Sequence, residues 1–219
     1  VNLMPNLTEL AYDNISFGTT PGGKLGGMET ITDTGWTSAA LMATTSGVPF
    51  SFPMSDPSEV GVSTSFAPNL ETLGNVLQEK GYTQEFLCGS NASFGGRRTY
   101  FTGHGNYDIY DYETAISTGR LPSDYYVWWG FEDSVLYDIA KEELLRLSET
   151  GEPFNLTMLT VDTHFPDGYL CSLCEEGKYS VPLASIVECA DRQAANFIQW
   201  CKEQDFYEDT VIVVMGDHP

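Results

Sequence analysis

Thr210-Val211-Ile212-Val213-Val214-Met215 runs directly into Gly216-Asp217-His218. The run carries no charge and is dominated by β-branched residues, so it reads as a strand buried on both faces of a parallel sheet. The Gly-Asp-His that follows would then stand at the strand's carboxyl end, where open α/β sheets bind their ligands. The same grammar recurs upstream. Phe154 to Val161 reads as a strand that ends in Asp162-Thr163-His164, and Tyr82 to Leu87 as a strand followed by the loop Cys88-Gly89-Ser90-Asn91.

Helical patterns separate these runs. Glu132 to Thr150 carries Leu136, Ile139, Ala140, Leu144 and Leu147 as an apolar stripe, with Gly151 after it. Ile186 to Lys202 places Ile186, Ala190, Ala194, Phe197, Ile198 and Cys201 on one face. Asn69 to Lys80 reads as a helix with Asn69 as N-cap and Gly81 past its end. Thr37 to Thr45 is a helix stopped by Gly47 and Pro49, and Pro5 to Ala11 a short one with Pro in its first turn. Ile15 to Phe17 fits a short strand, Gly18 to Gly27 a loop, and Ser51 to Ser65 a mobile connection. Strands alternating with helices predict an α/β fold: a mostly parallel central sheet with helices on both faces. No linker divides the chain, so residues 1–219 are expected to form a single domain. The chain starts at Val1 without a leader pattern and stops just after a strand-like run, so the expectation is a partial domain, truncated at both ends.

The net charge of −21 excludes a general nucleic-acid binder, which needs a basic face to neutralise phosphates. It also argues against this segment lying on an anionic lipid surface. The 42% hydrophobic and 13% aromatic content is that of a folding chain. No run of 18 apolar residues is present. The five cysteines are Cys88, Cys171, Cys174, Cys189 and Cys201. Cys171 and Cys174 form a CxxC, but no second CxxC follows and no His stands near, which argues against a zinc site. A disulfide between this loop and Cys189 is the preferred reading, and it implies an oxidising compartment.

Chemistry concentrates at the strand ends. Asp217 and His218 offer carboxylate oxygen and imidazole nitrogen, good ligands for a borderline divalent ion. Thr37 could complete the set, its hydroxyl becoming a nucleophile once a metal lowers its pKa. His164 could protonate a leaving oxygen or hold a phosphate. Arg97 and Arg98 stand out in a cation-poor chain, and a guanidinium fork fits phosphate or sulfate oxygens. Each residue alone has a plainer reading: Thr37 as an N-cap, Asp217-His218 as a turn pair, His164 as a structural histidine, the arginines as solvated. Gathered at the strand ends, they favour a metal-assisted phosphoryl-type site.

TGWTSAALMATTSGVP (Thr34 to Pro49), LTVDTHFPDGY (Leu159 to Tyr169) and VIVVMGDH (Val211 to His218) together resemble the alkaline phosphatase/sulfatase superfamily. Within it they resemble the phosphoglycerol transferases that decorate periplasmic glucans and, more distantly, the lipoteichoic acid synthases. FAPNLETLGNVLQEKGY (Phe66 to Tyr82) and WGFEDSVLYDIA (Trp129 to Ala140) look like the same group. The resemblance implies that Thr37 is the nucleophile and a metal ligand, that Asp217 and His218 are metal ligands, and that His164 binds substrate phosphate or assists proton transfer. It implies substrate-binding roles for Arg97, Asn91 and Trp36, and reads Trp129 and Asp133 as structural. The remaining acidic metal ligand and the first sheet strand would precede Val1. Cys88 stands where the synthases carry a substrate-binding histidine, which turns the resemblance toward the glucan branch. Cys174 and Cys189 fall where the glucan-type enzymes also carry cysteines, which makes them the disulfide candidate.

The implied activity is transfer of phosphoglycerol from phosphatidylglycerol to a glycan or polyglycerophosphate acceptor through a phospho-threonine intermediate. Mn²⁺ is the expected cofactor, with Zn²⁺ or Mg²⁺ as alternatives. The expected place is the extracytoplasmic face of the bacterial cell membrane, with membrane attachment through segments upstream. Thr37 is followed by Ser-Ala-Ala-Leu, so the formylglycine maturation pattern of sulfatases is absent. The alternatives are phosphoethanolamine transfer, phosphodiester or sulfatase-like hydrolysis, and a non-catalytic binding domain of the same fold.

Overall fold

The computed structural model describes residues 2–18, 25–27, 30–50 and 65–218. Among the described residues three parallel strands form the sheet in the order β2-β1-β3, where β1 is Thr83–Cys88, β2 Asp108–Tyr110 and β3 Phe154–Leu159. Register pairs Glu85 with Asp108 on one side and with Leu156 on the other. The helices are α1 (Pro5–Asp13), α2 (Thr37–Ser46), α3 (Leu73–Glu79), α4 (Arg97–Gly103), α5 (Tyr112–Ser117), α6 (Asp133–Ser148) and α7 (Pro182–Cys201).

Because successive side chains of β1 point to opposite faces, the strand serves two cores. Phe86 and Cys88 join Ala39 and Met42 of α2 and Tyr100 and Phe101 of α4 in one buried cluster. Leu87 joins Phe131 and Leu136, Ile139 and Ala140 of α6 in the other. Helices therefore cover both faces, as the alternation of elements predicts. Phe86 stacks on Phe101 with ring centroids 4.1 Å apart, which adds geometric specificity to the burial. The polar positions of β1 follow the same division. Gln84 donates to the carbonyls of Gly74 and Gly105 on the α3–α4 side, and Glu85 accepts from Arg146 of α6 on the other. The Cys88 thiol sits in the first core, where burial lifts its pKa to about 11 and keeps it unreactive.

Several element boundaries differ from the sequence expectation for local reasons. α3 begins at Leu73, not Asn69: Thr72 accepts from the Asn75 N–H while the Asn75 side chain accepts from the Thr72 N–H, a reciprocal cap that outcompetes Asn69. α7 begins four residues earlier than its apolar stripe, at Pro182, which needs no donor in the first turn. α2 ends at Gly47, whose φ of 70° supplies the left-handed cap. Ile15 to Phe17 is not a strand, and Ile15 is 87% exposed. Most of the Gly18 to Gly27 loop and nearly all of the Ser51 to Ser65 connection lie outside the described residues.

The main correction concerns Thr210 to Met215. It is not a strand here, and Val211 and Val213 are 86% and 76% exposed. An apolar β-branched run forms a buried strand only when a neighbouring strand takes up its backbone groups. Among the described residues no strand pairs with it.

Candidate active site

Thr37 is the first residue of α2, and Trp36 is the capping position. The helix start uses no side-chain cap, so the Thr37 hydroxyl is not spent on capping. Instead Thr37 Oγ1 lies 3.4 Å from Nε2 of His218. His218 Nε2 is in turn 3.5 Å from Oδ2 of Asp217. Three oxygen and nitrogen donors from the two ends of the chain thus converge, each on a half-buried side chain.

The loop after β1 closes on the same place. Gly95 has φ +64°, and a Cβ there would stand 2.6 Å from Ser38 Oγ, so the loop rests directly on the first turn of α2. Two residues on, Arg97 opens α4 with its side chain 7% exposed. Its Nε donates to the Phe94 carbonyl at 3.0 Å, and its Nη2 to Ser90 Oγ at 3.1 Å and the Asn91 carbonyl at 2.9 Å. Burial pulls the guanidinium pKa down, while Cys88, Asp111 and Asp217 favour the charged form. Arg97 is therefore a buried positive charge close enough to feel Asp217, with three of its N–H groups already committed to its own loop.

The neighbouring residues have other work. Arg98 pairs at 2.6 Å with Asp111, a fully buried carboxylate that also accepts from the Ala92 and Thr114 N–H groups. Asn91 turns its amide toward Glu113 at 3.3 Å and accepts from the Ser93 N–H at 2.8 Å. Trp36 packs edge-on against Phe50 at 5.1 Å, partly buried beside the first core.

His164 follows β3 on a tight loop. Its N–H donates to the Val161 carbonyl, and the Gly168 N–H returns to the His164 carbonyl at 3.0 Å. Gly168 has φ +68°, and a Cβ would meet the Asp162 carbonyl at 2.8 Å. The imidazole meets the Trp129 ring at 5.2 Å, Trp129 meets Phe94 at 5.9 Å, and Arg97 lies 5.7 Å over Phe94. An aromatic chain thus joins His164 to the arginine loop, with the Trp129 ring at its centre. Phe94, 63% exposed, is a further residue of this loop, and an aromatic three residues before a candidate arginine is the sequence signal that marks it.

Under this loop Asp162 and Asp133 cap one another. Asp162 Oδ1 accepts from the Asp133 N–H at 3.1 Å, and Asp133 accepts from the N–H groups of Val161 and Asp162 at 2.7 and 3.1 Å. Both are buried, and Asp162 Oδ2 finds no hydrogen-bond partner among the described residues. Burial first, and then the charge of Asp133, lift the Asp162 pKa to about 8; burial also raises that of Asp133. The pair fixes the start of α6 against the end of β3 and so carries the His164 loop.

The Sulfatase family profile matches residues 29–219. Phosphoglycerol transferase I of Xanthomonas campestris pv. campestris (strain B100) is 32% identical over 221 residues, covering 99% of this chain and 30% of that protein. Phosphoglycerol transferase I of Salmonella choleraesuis (strain SC-B67) is 33% identical over 225 residues, covering 99% and 28%. The chain thus spans less than a third of the length of these relatives. A solved protein of the alkaline phosphatase superfamily from Vibrio parahaemolyticus superposes with a TM-score of 0.66 at 25% identity, over 95% of this chain and 47% of that one. The lipoteichoic acid synthase LtaP from Listeria monocytogenes also reaches 0.66, at 18% identity over 92% and 47%, and supports the fold. The α/β fold, the converging strand-end loops and these matches lead to one conclusion: the chain belongs to the Sulfatase family and has the alkaline-phosphatase superfamily fold.

Proposed function

We propose that this chain is the phosphoryl-transfer domain of a phosphoglycerol transferase that takes phosphoglycerol from phosphatidylglycerol and passes it to a glycan or polyglycerophosphate acceptor. The observation that carries the reading is the 3.4 Å approach of Thr37 Oγ1 to His218 Nε2, with Asp217 beside it. The relatives' names support the choice of phosphoglycerol.

The donor set fits a divalent cation: one hydroxyl, one carboxylate and one imidazole within 3.5 Å of a neighbour suit a borderline ion such as Mn²⁺ or Zn²⁺. Thr37, Asp217 and His218 would hold it, and when bound it supplies Lewis-acid chemistry that makes the Thr37 hydroxyl acidic and spreads charge on phosphoryl oxygens. The Thr37 hydroxyl gives its proton to solvent, and its oxygen forms the new bond to phosphorus as the bond to the diacylglycerol oxygen breaks. His164 gives that departing oxygen its proton. In the second half the acceptor hydroxyl loses its proton to His164 and displaces the Thr37 oxygen, which takes a proton back from solvent. Arg97 contributes fixed positive charge facing the anionic head group, which matters in a chain of net charge −21. No helix among the described residues is long and apolar enough to cross a membrane. Placement at the extracytoplasmic membrane face is part of the proposal.

The test uses the full-length protein with Mn²⁺ and labelled phosphatidylglycerol. Diacylglycerol release and a glycerophosphoryl adduct on the peptide containing Thr37 are expected, both lost in Thr37→Ala. Unchanged turnover in Thr37→Ala would refute the nucleophile assignment. Running phosphatidylethanolamine in parallel reads the head-group choice: preference for it would move the assignment to phosphoethanolamine transfer.

A further inference from the structure

The loop after β3 and the first half of α7 gather three sulfurs that the transferase reading does not use. Cys171 and Cys174 share a turn closed by the Cys174 N–H donating to the Cys171 carbonyl at 3.0 Å. Cys189 comes up from α7. Cys171 Sγ lies 3.5 Å from Cys174 Sγ and 3.8 Å from Cys189 Sγ, and all three sulfurs fall within 4.8 Å of one another as free thiols. A disulfide needs its sulfurs at about 2.05 Å. A tetrahedral ion with metal–sulfur bonds of about 2.3 Å sets its sulfurs about 3.8 Å apart. The separations of 3.5 and 3.8 Å from Cys171 match two edges of that tetrahedron, and the third pair lies within 4.8 Å.

We propose that Cys171, Cys174 and Cys189 bind one thiophilic divalent cation of the zinc class, with water in the fourth position. The CxxC of Cys171 and Cys174 is joined in space by a third cysteine fifteen positions further on, borne by a helix. Three thiolates around a doubly charged ion leave one net negative charge, and the surroundings meet it. Arg192 Nη2 is 3.5 Å from Cys189 Sγ. Gln193 Nε2 approaches Cys189 Sγ at 3.5 Å and Cys171 Sγ at 4.0 Å. Such N–H contacts to ligating sulfur orient the ligands and stabilise their anionic form. Cys171 and Cys189 are buried, while Cys174 is partly exposed and marks the side where the ion and its water enter. Each thiol releases its proton to solvent as its metal–sulfur bond forms, and no oxidant is needed.

The consequence is mechanical. The site stitches the 171–174 turn to α7, on which Gly168 of the His164 loop already packs through Ile186. The ion would thus hold the segment that presents His164 without touching substrate. The inference stands apart from the transferase reading, since it draws on none of the same side chains.

The test measures bound metal in full-length protein carrying Asp217→Ala and His218→Ala, which removes the other candidate metal position. Protein is prepared anaerobically with zinc and a phosphine reductant, then desalted. About one equivalent of zinc is expected, falling to near zero in Cys174→Ser and Cys189→Ser. Replacing zinc with Co²⁺ in the otherwise unmutated background should add a sulfur-to-cobalt charge-transfer band, which keeps the test decisive if a cysteine variant fails to fold. Absence of both zinc and the band would overturn the proposal, as would retention of zinc in Cys174→Ser. So would a peptide map of protein taken directly from cells that shows Cys174 and Cys189 joined as a disulfide.

Discussion

Gly95→Ala tests the contact that unites the candidate site. A Cβ at this position would sit 2.6 Å from Ser38 Oγ, on a residue buried in the first turn of α2. It would also carry a φ of +64°, a region L side chains rarely adopt. The backbone part costs about 1–2 kcal/mol, and the overlap about 1–3 kcal/mol more. The sum, about 2–5 kcal/mol, corresponds to a fall in melting temperature of about 4–20 °C for a unit of this size. Ser38→Ala removes the atom that is struck and leaves the backbone penalty. In that background the Gly95→Ala loss should shrink to about the backbone part alone, a coupling of about 1–3 kcal/mol in a double-mutant cycle. Thermal unfolding followed by tryptophan fluorescence reads all four variants. If the two substitutions add to within about 0.5 kcal/mol, the arginine loop does not rest on α2, and the argument that brings Arg97 to Thr37 fails.

Other expectations follow from the same geometry. Folded Asp162 holds its proton up to about pH 8, far above an ordinary carboxylate, so its contribution to stability is complete below about pH 4 and is lost as pH rises through 8. Urea midpoints measured from pH 5 to 9 should fall with pH, and Asp162→Asn should flatten that slope. Trp129→Ala removes the ring against His164 and Phe94; with an aromatic contact valued at about 0.5–1.5 kcal/mol, kcat/KM should drop about 2- to 12-fold, and Trp129→Phe should recover part of it. Asp111→Ala strands the buried Ala92 N–H and removes the cap of α5, and should cost about 1–3 kcal/mol in chemical unfolding.

The legible parts of this molecule are those governed by local rules. Leu136, Ile139, Ala140, Leu144 and Leu147 announce α6, and all five are buried. Gly47 and Gly151 stand where helices end, and both have positive φ. The sequence places Asp217 and His218 at the end of a strand that the structure does not form, and Thr37 at the start of a helix; Thr37 and His218 still come within 3.4 Å of one another, by a route the strand-end rule does not describe. What escaped was set by contacts distant in sequence. The α4 and α5 helices are too short to show a period, and their positions follow from Asp111, which caps α5 while binding Arg98. Thr210 to Met215 has the composition of a buried strand, yet composition cannot supply the neighbour that would pair with it. The meeting of Cys189 with Cys171 and Cys174 depends on how α7 lies beside the preceding loop, which no spacing rule encodes.

β1 sits between two unlike neighbourhoods, and its alternation leaves no slack. Sliding the strand by a single residue would carry Phe86 toward Arg146 and push the Glu85 carboxylate into a nest of aromatic rings. Both walls of the molecule would be lost together, and the turn that delivers Arg97 would rotate off target. Length changes inside Thr83–Cys88 should therefore be intolerable, while the exposed tip at Pro122–Asp124 can absorb them. The strand works as a keyed axle: its phase decides where everything mounted at its far end will point.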